Sequence, residues 1–271
     1  MQGSSRASLT SAEERLEALL GAPGVDRTAV ADGLFAVAGL LDGNVSLRRA
    51  LTDPSQEGEA KAGLATRLLQ GRLNGGVVDL VAGMARSRWA QSRDLGDAIE
   101  QLAVTALMAA AEAEGRLDRV EDELFRFDRT VAGDPQLRGA LSDRRASAER
   151  RARLADQLLA DKVAPETLRL VHQAVVASRG LSMDAALTRY GQIAAHRREQ
   201  LVAHVVVALP LDEEQRARLT AGLQRMYGRP VHLNVDVDPE VLGGIRVEIG
   251  DEVLDGTVGR RLDDARRRLA G

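Results

Sequence analysis

The chain has 271 residues, 37 of them basic and 40 acidic, a formal net charge of −3 and no cysteine. That length exceeds one typical domain, and the missing cysteine excludes disulfides, thiolate metal sites and a cysteine nucleophile while fitting a reducing compartment. The slightly acidic balance argues against nucleic acid, whose phosphates call for a concentrated basic surface.

Aromatic residues are confined to Phe35, Trp89, Phe125, Phe127, Tyr190 and Tyr227. Cores must therefore be built from Ala, Leu and Val, a palette suited to helix packed on helix. The opening stretch through Ser8 has no apolar centre, and apolar runs such as Ala106 to Ala111 are far shorter than a bilayer requires. Neither a signal peptide nor a direct membrane insertion is expected.

Periodicity and Gly or Pro breaks predict helices over about 12–20, 27–42, 56–71, 74–88 and 95–114. Ser11 with Glu14 has the spacing of a capping box. Shifted by 90 residues, the chain matches itself: Val30, Leu34, Leu47, Arg48, Leu51 and Asp53 recur as Val120, Leu124, Leu137, Arg138, Leu141 and Asp143. Glu59, Ala62, Leu64, Ala65, Leu68 and Leu69 recur as Glu149, Ala152, Leu154, Ala155, Leu158 and Leu159. The period is too long for a solenoid unit, so this is a duplicated helix bundle. The match fades past Arg88, and the helix over about 95–114 is expected to close the first bundle and open the second. Trp89 is read as filling the edge of the first bundle.

A small domain then begins near Leu201. An apolar strand over 202–209 ends at Pro210, and Asp212 opens a helix that turns Leu219, Leu223 and Met226 inward before Gly228 closes it. Val231, Leu233, Val235 and Val237 alternate with polar residues as a strand with one buried face does. Pro239 ends that strand. Gly243 and Gly244 suit a tight return into a second strand, Ile245, Val247 and Ile249, and the two strands are expected to pair like a hairpin. Asp255-Gly256 offers a turn, Thr257 a cap, and Val258, Leu262, Ala265 and Leu269 a helix face, with Arg266, Arg267 and Arg268 at the negative end of its dipole.

No catalytic constellation accompanies these elements. The glycine clusters at 71–76 and 243–244 lack the lysine and hydroxyl of a phosphate loop, so no cofactor is expected. His172 and His196 have no second histidine at ligand spacing and His232 lies on a polar strand face, so none is read as a metal ligand. Asp236 and Asp238 with Asn234 could in principle hold a cation, but a solvated strand face is the plainer reading. Glu121, Asp122 and Glu123, like Asp212, Glu213 and Glu214, are placed near helix starts, where the dipole favours them. Arg144, Arg145, Arg150, Arg151 and Arg153 form the sharpest basic cluster. Interleaved with Glu149 and Asp156 and lacking aromatics for base stacking, it reads as a solvated face or as the counterpart of a partner's acidic patch.

The run from Leu233 to Gly250, followed by Asp255-Gly256-Thr257-Val258-Gly259-Arg260-Arg261-Leu262, resembles the carboxy-terminal signature of the delta subunit of F-type ATP synthases, the oligomycin sensitivity conferring protein family. The matching positions are Val237, Asp238, Gly243, Gly244, Ile245, Val247, Gly250, Asp255, Gly256, Arg261 and Leu262. The family pattern covers roughly residues 95–271, one bundle and the α+β domain by this order of elements; the first copy is extra.

The sequence thus predicts a mainly α protein: an extra helical bundle over 1–93, a second over 94–200 and a small α+β domain over 201–271. The resemblance implies a non-catalytic peripheral-stalk subunit without cofactor or metal. Its implied partners are the amino-terminal helices of the alpha subunits and the carboxy-terminal helix of the b subunit. It implies a peripheral position on the cytoplasmic face of the cell membrane. A free helical adaptor or RNA-associated regulator is the alternative.

Overall fold

The computed structural model describes residues 3–143, 145–176, 182–199, 201–228, 230–239, 243–249 and 252–255, with the backbone alone at 199, 201, 202, 232, 234 and 255. Twelve α-helices and a four-stranded sheet are found among these residues, divided between two compact units, 1–197 and 198–271. The protein is mainly α, with a small α+β part at its carboxy-terminal end.

The helical unit comprises α1 (Gly3–Gly21), α2 (Arg27–Gly43), α3 (Val45–Thr52), α4 (Gly58–Leu69), α5 (Gly75–Arg86), α6 (Ser92–Ala113), α7 (Leu117–Gly133), α8 (Pro135–Ser142), α9 (Ala148–Leu159), α10 (Pro165–Val176) and α11 (Met183–Glu199). The duplication reaches the helix ends: α7 to α10 begin and end 90 residues after α2 to α5. Capping chemistry is repeated as well. Asn44 Oδ1 accepts the Leu47 N–H at 3.0 Å, and Asp134 Oδ1 accepts the Leu137 N–H at 3.0 Å, each satisfying a donor that the first helical turn leaves free. Arg48 donates to the Leu41 carbonyl and Arg138 to the Ala132 carbonyl, covering acceptors at the ends of α2 and α7.

The short helices α3 and α8 were not predicted. Helix α3 leaves α2 at 107°, and Asn44 and the Asp134-Pro135 pair mark the starts of α3 and α8.

One continuous apolar core runs from Ala12 to Ala194. Its axis is α6, where Leu95, Ile99, Leu102, Val104, Leu107 and Met108 are all fully buried. This helix packs against α1, α2, α3 and α5 on the side of the first copy and against α7 and α10 on the side of the second. It is thus common to both copies, within one helical unit. Neighbours on several sides leave this helix little solvent face, so it is interior and its few polar residues must find partners within the protein.

Polar contacts set the neighbours of α6. Ser5 Oγ donates to Asp94 Oδ2 at 2.6 Å and accepts the Ala90 N–H at 2.8 Å, while Gln101 Nε2 donates to Glu13 at 2.8 Å. Tyr190 Oη donates to Glu100 at 2.7 Å from α11. The Ser5 network draws α1 back to Gly3, nine residues before its expected start at 12, so Ser11 lies inside the helix and caps nothing. The apolar pattern is too sparse before Ala12 for that extension to be read.

In the second unit, β1 (Leu201–Val207), α12 (Glu213–Tyr227), β2 (Val231–Val237), β3 (Ile245–Ile249) and β4 (Glu252–Asp255) form a sheet of order β2-β1-β3-β4. Strand β1 pairs in parallel with β2 and antiparallel with β3, and β4 pairs with β3. Parallel neighbours need a crossover, which α12 supplies. The expected pairing of β2 with β3 is therefore incorrect. Strand β1 lies between them because it is the most apolar, with Ala203, Val205 and Val207 almost wholly buried, and the centre of a sheet is where such a strand loses most contact with water.

The ends of α12 agree with the sequence. Asp212 and Gln215 form a capping box, and Gly228 takes the left-handed conformation at φ 65°. Two side-chain expectations do not hold. Met226 is 65% exposed and Val237 47% exposed, because the buried face of α12 is spent at Leu223 and the edge strand β2 outruns the small core at its last residue. The segment expected to form a final helix, from Gly256 onward, lies outside the described residues, as do Gly250, Arg261 and Leu262.

Candidate binding surfaces

The described signature residues lie around the end of β1. Val207 pairs with Val237 on one side and with Ile245 on the other, and the Asp238 N–H donates to the Val207 carbonyl at 2.9 Å. Gly243 and Gly244 lead into β3 with φ of 63° and 90°, a region where a side chain meets its own backbone and glycine does not. Val247 is buried between Val205 and Leu254. Asp255 is the last residue of β4, opposite Arg246. The described signature residues thus build one corner of the sheet, and none of them meets a catalytic partner there.

That corner frames an open apolar groove of about 650 Å³, walled by Val207, Leu209, Leu211, Leu219, Gly244 and Ile245. Leu209 is 76% exposed at its rim. An apolar trough edged by Gln215 and Arg218 suits the apolar side of an amphipathic helix.

A second groove, of about 600 Å³, lies between α8 and α9 and collects Arg145, Arg150, Arg151 and Arg153 from the basic cluster; Arg144 falls outside the described residues.

Elsewhere two carboxylates, Glu123 and Glu166, tie helices together. Glu123, expected at a helix start, lies in the second turn of α7 and accepts from Thr167 Oγ1 at 2.6 Å, the Ala164 N–H at 2.8 Å and Arg119 at 2.7 Å. Burial acts to raise its pKa, yet these donors together outweigh burial and hold the carboxyl below its ordinary value. Glu166 receives both arms of Arg116, at 2.6 and 3.3 Å, and is likewise held low against the opposing effect of burial. Asp236 and Asp238 are exposed, and no group of three possible metal ligands exists among the described residues. His172 lies 3.4 Å from Asp156 at the helix surface, and His204 is exposed. Trp89 is buried, its indole N–H donating to the Met84 carbonyl at 2.8 Å.

A family model described as ATP synthase delta (OSCP) subunit matches residues 99–269. The chain belongs to this family. It is also 52% identical to the ATP synthase subunit delta of Kineococcus radiotolerans over 269 residues, covering 99% of this chain and 98% of that one. The Streptomyces coelicolor subunit delta is 53% identical over 270 residues, covering 100% and 98%, and that of Thermobifida fusca 43% over the whole of both chains. A chain of the Toxoplasma gondii mitochondrial ATP synthase hexamer matches at 22% identity with a TM-score of 0.28, covering 62% of this chain and 95% of that one.

The family model begins inside α6, near the start expected from the order of elements, while these actinobacterial relatives match through the first copy as well. Delta subunits are non-catalytic members of an ATP synthase. The first helical copy is shared with full-length relatives, so it is a regular part of this form of the subunit.

Proposed function

We propose that this delta subunit is a stator: it joins the catalytic head of a proton-translocating ATP synthase to the membrane-anchored b stalk and transmits torque during ATP synthesis. The observation that carries this reading is the pairing, in one chain, of a large helical unit with a separately cored α+β unit whose family-specific corner frames an open apolar groove. The head must be kept from turning with the rotor. A covalent link between two binding surfaces does this well, because the first contact raises the effective concentration for the second and modest affinities combine into a durable attachment.

In functional terms the chain divides into the extra bundle over 1–93, the bundle over 94–200 that receives the amino-terminal helices of alpha subunits, and the domain over 201–271 that grips the carboxy-terminal helix of b. The first bundle packs along the stalk. The subunit sits on the cytoplasmic face of the membrane and reaches it through these partners. No single helix among the described residues is long and apolar enough to cross a bilayer. Helices α2 and α3 together are long and apolar, but they meet at a bend of 107°, and their apolar residues Val30, Leu34, Val37, Leu41 and Leu51 are spent in the core.

The test is calorimetric binding of the b carboxy-terminal segment to the full-length protein. Leu209→Asp places a charge at the groove rim without disturbing a buried residue and is expected to weaken binding about tenfold or more, since a carboxylate held against an apolar helix face loses hydration. Unchanged affinity would reject the groove as the stalk site.

A further inference from the structure

The two helical copies provide an internal control for every surface residue. Their helices begin and end in register, so what differs between them at equivalent positions is not demanded by the fold. The framework of the α8–α9 groove is shared: Asp143, Leu154 and Arg151 stand where the first copy has Asp53, Leu64 and Lys61. Both cations donate to a main-chain carbonyl near the end of the helix that follows, buried Lys61 to Ser87 at 3.1 Å and half-buried Arg151 to Val175. The rim is different. Arg145, Arg150 and Arg153 replace Ser55, Ala60 and Gly63. Three guanidinium groups have been placed around one groove of a scaffold that folds the same way without them.

Among the described residues Arg145 and Arg150 have no carboxylate within ion-pair distance, whereas Arg116, Arg119 and Arg126 on the preceding segment are each paired. Glu149 feels Arg153 only at longer range. Arg151, on the groove wall, keeps a buried Nε–H without an acceptor. Concentrating positive charge in this way costs self-repulsion, which a bound anionic partner relieves. Arginine in particular offers planar pairs of donors that match carboxylates.

We infer that this groove is a docking site for a carboxylate-rich, amphipathic segment of another subunit of the complex. The wall supplies apolar contact at Ala140, Ala146 and Leu154 between the guanidinium groups, which suits a peptide with both acidic and aliphatic side chains. Among the described residues no aromatic side chain lines the groove, so they offer no surface for the stacking that retains nucleotides or single-stranded nucleic acid. The surface lies in the second copy and is distinct from the apolar groove proposed to grip the stalk, although it rests on the same membership of a multi-subunit assembly.

The test uses the full-length protein and, as probe, a fluorescent amphipathic peptide carrying six glutamates spaced among leucines. Fluorescence anisotropy at low salt is expected to show binding that weakens about tenfold or more in the triple variant Arg145→Ser, Arg150→Ala, Arg153→Ala, by the modest worth of each exposed charge pair. The reciprocal variant Ser55→Arg, Ala60→Arg, Gly63→Arg is expected to add a second peptide site in the first copy. Every substitution but Arg153→Ala borrows the residue found at the equivalent place; there alanine is used in place of the Gly63 of the first copy because it favours the helix, and circular dichroism checks that the fold is kept. Equal binding by wild type and triple variant overturns the inference, as does a preference of the wild type for anionic phospholipid vesicles or an RNA oligonucleotide over the peptide. Leu209→Asp serves as the separating control. It is expected to leave peptide binding unchanged, and its own loss of stalk binding, or failure to lose it, bears on the stator reading alone.

Discussion

Arg197 joins three helices of the helical unit through a buried ion-pair triad, and replacing it with methionine gives a sharp test of how that unit is held. Its guanidinium, 10% exposed, reaches Glu17 on α1 and Glu112 on α6 at 2.7 Å each. Burial disfavours its charge most, but the two carboxylates prevail and keep its pKa above the ordinary value. Methionine fills much of the same volume and leaves both carboxylates without their cation. Removing one partner of a fully buried pair costs roughly 3–5 kcal/mol. Because Glu112 is 36% exposed and can turn to water, the expected loss here is about 2–3 kcal/mol. For a unit of this size that lowers the thermal midpoint by roughly 4–12 °C. Thermal unfolding followed by circular dichroism measures it, and the triple change Arg197→Met, Glu17→Gln, Glu112→Gln is expected to recover most of the stability. A single variant within about 0.5 kcal/mol of wild type would mean that the triad does not fasten α1 and α11 to α6, and the reasoning would fail.

Three further outcomes follow from particular contacts. Glu123 has a folded pKa below its ordinary value of 4.5, so its contribution is complete above that value and is lost as pH falls through the lowered pKa; urea midpoints measured from neutral to acid pH should decline less steeply in Glu123→Gln. Gly58→Ala sets a Cβ 2.9 Å from the Arg86 carbonyl oxygen, forcing α4 away from the end of α5; a net loss of about 1–2 kcal/mol in denaturant unfolding is expected, the overpacking cost exceeding the helix-propensity gain, and a stabilised variant would contradict the packing. Gly244→Ala, at φ 90°, should cost about 1–2 kcal/mol and reshape the apolar groove; stalk binding measured by calorimetry should fall with it, whereas an unaffected variant would show that the corner tolerates a side chain.

The duplication was legible because each copy repeats its buried residues at a fixed spacing and each helix carries several of them. Val30, Leu34, Val37 and Leu41 name a face before any coordinate is known. The start of α1 was not legible, since Ser5 and Asp94 lie 89 residues apart and nothing local in either marks a buried hydrogen bond. Strand order failed for a related reason. Alternation identifies β2 and β3 but not their neighbours, and β1 enters between them because of its apolarity relative to both. At the signature corner the sequence indicated the glycines and their strands. The apolar wall of the groove comes from Leu209, read from the sequence as the last residue of a strand although β1 ends at Val207, together with Leu211 and with Leu219 of α12. The arginine cluster was visible as composition, yet its contrast with the first copy acquires meaning only once the two copies are known to share helix ends.

One property of α6 bears on how load passes through this molecule. Swinging one copy relative to the other about their join would mean snapping a 22-residue helix in mid-course and wetting the leucines that line it. The pair therefore answers a sideways pull as a single stiff beam, and shortening the chain at the boundary of the duplicated segments would strip an oily flank bare instead of releasing a tidy half.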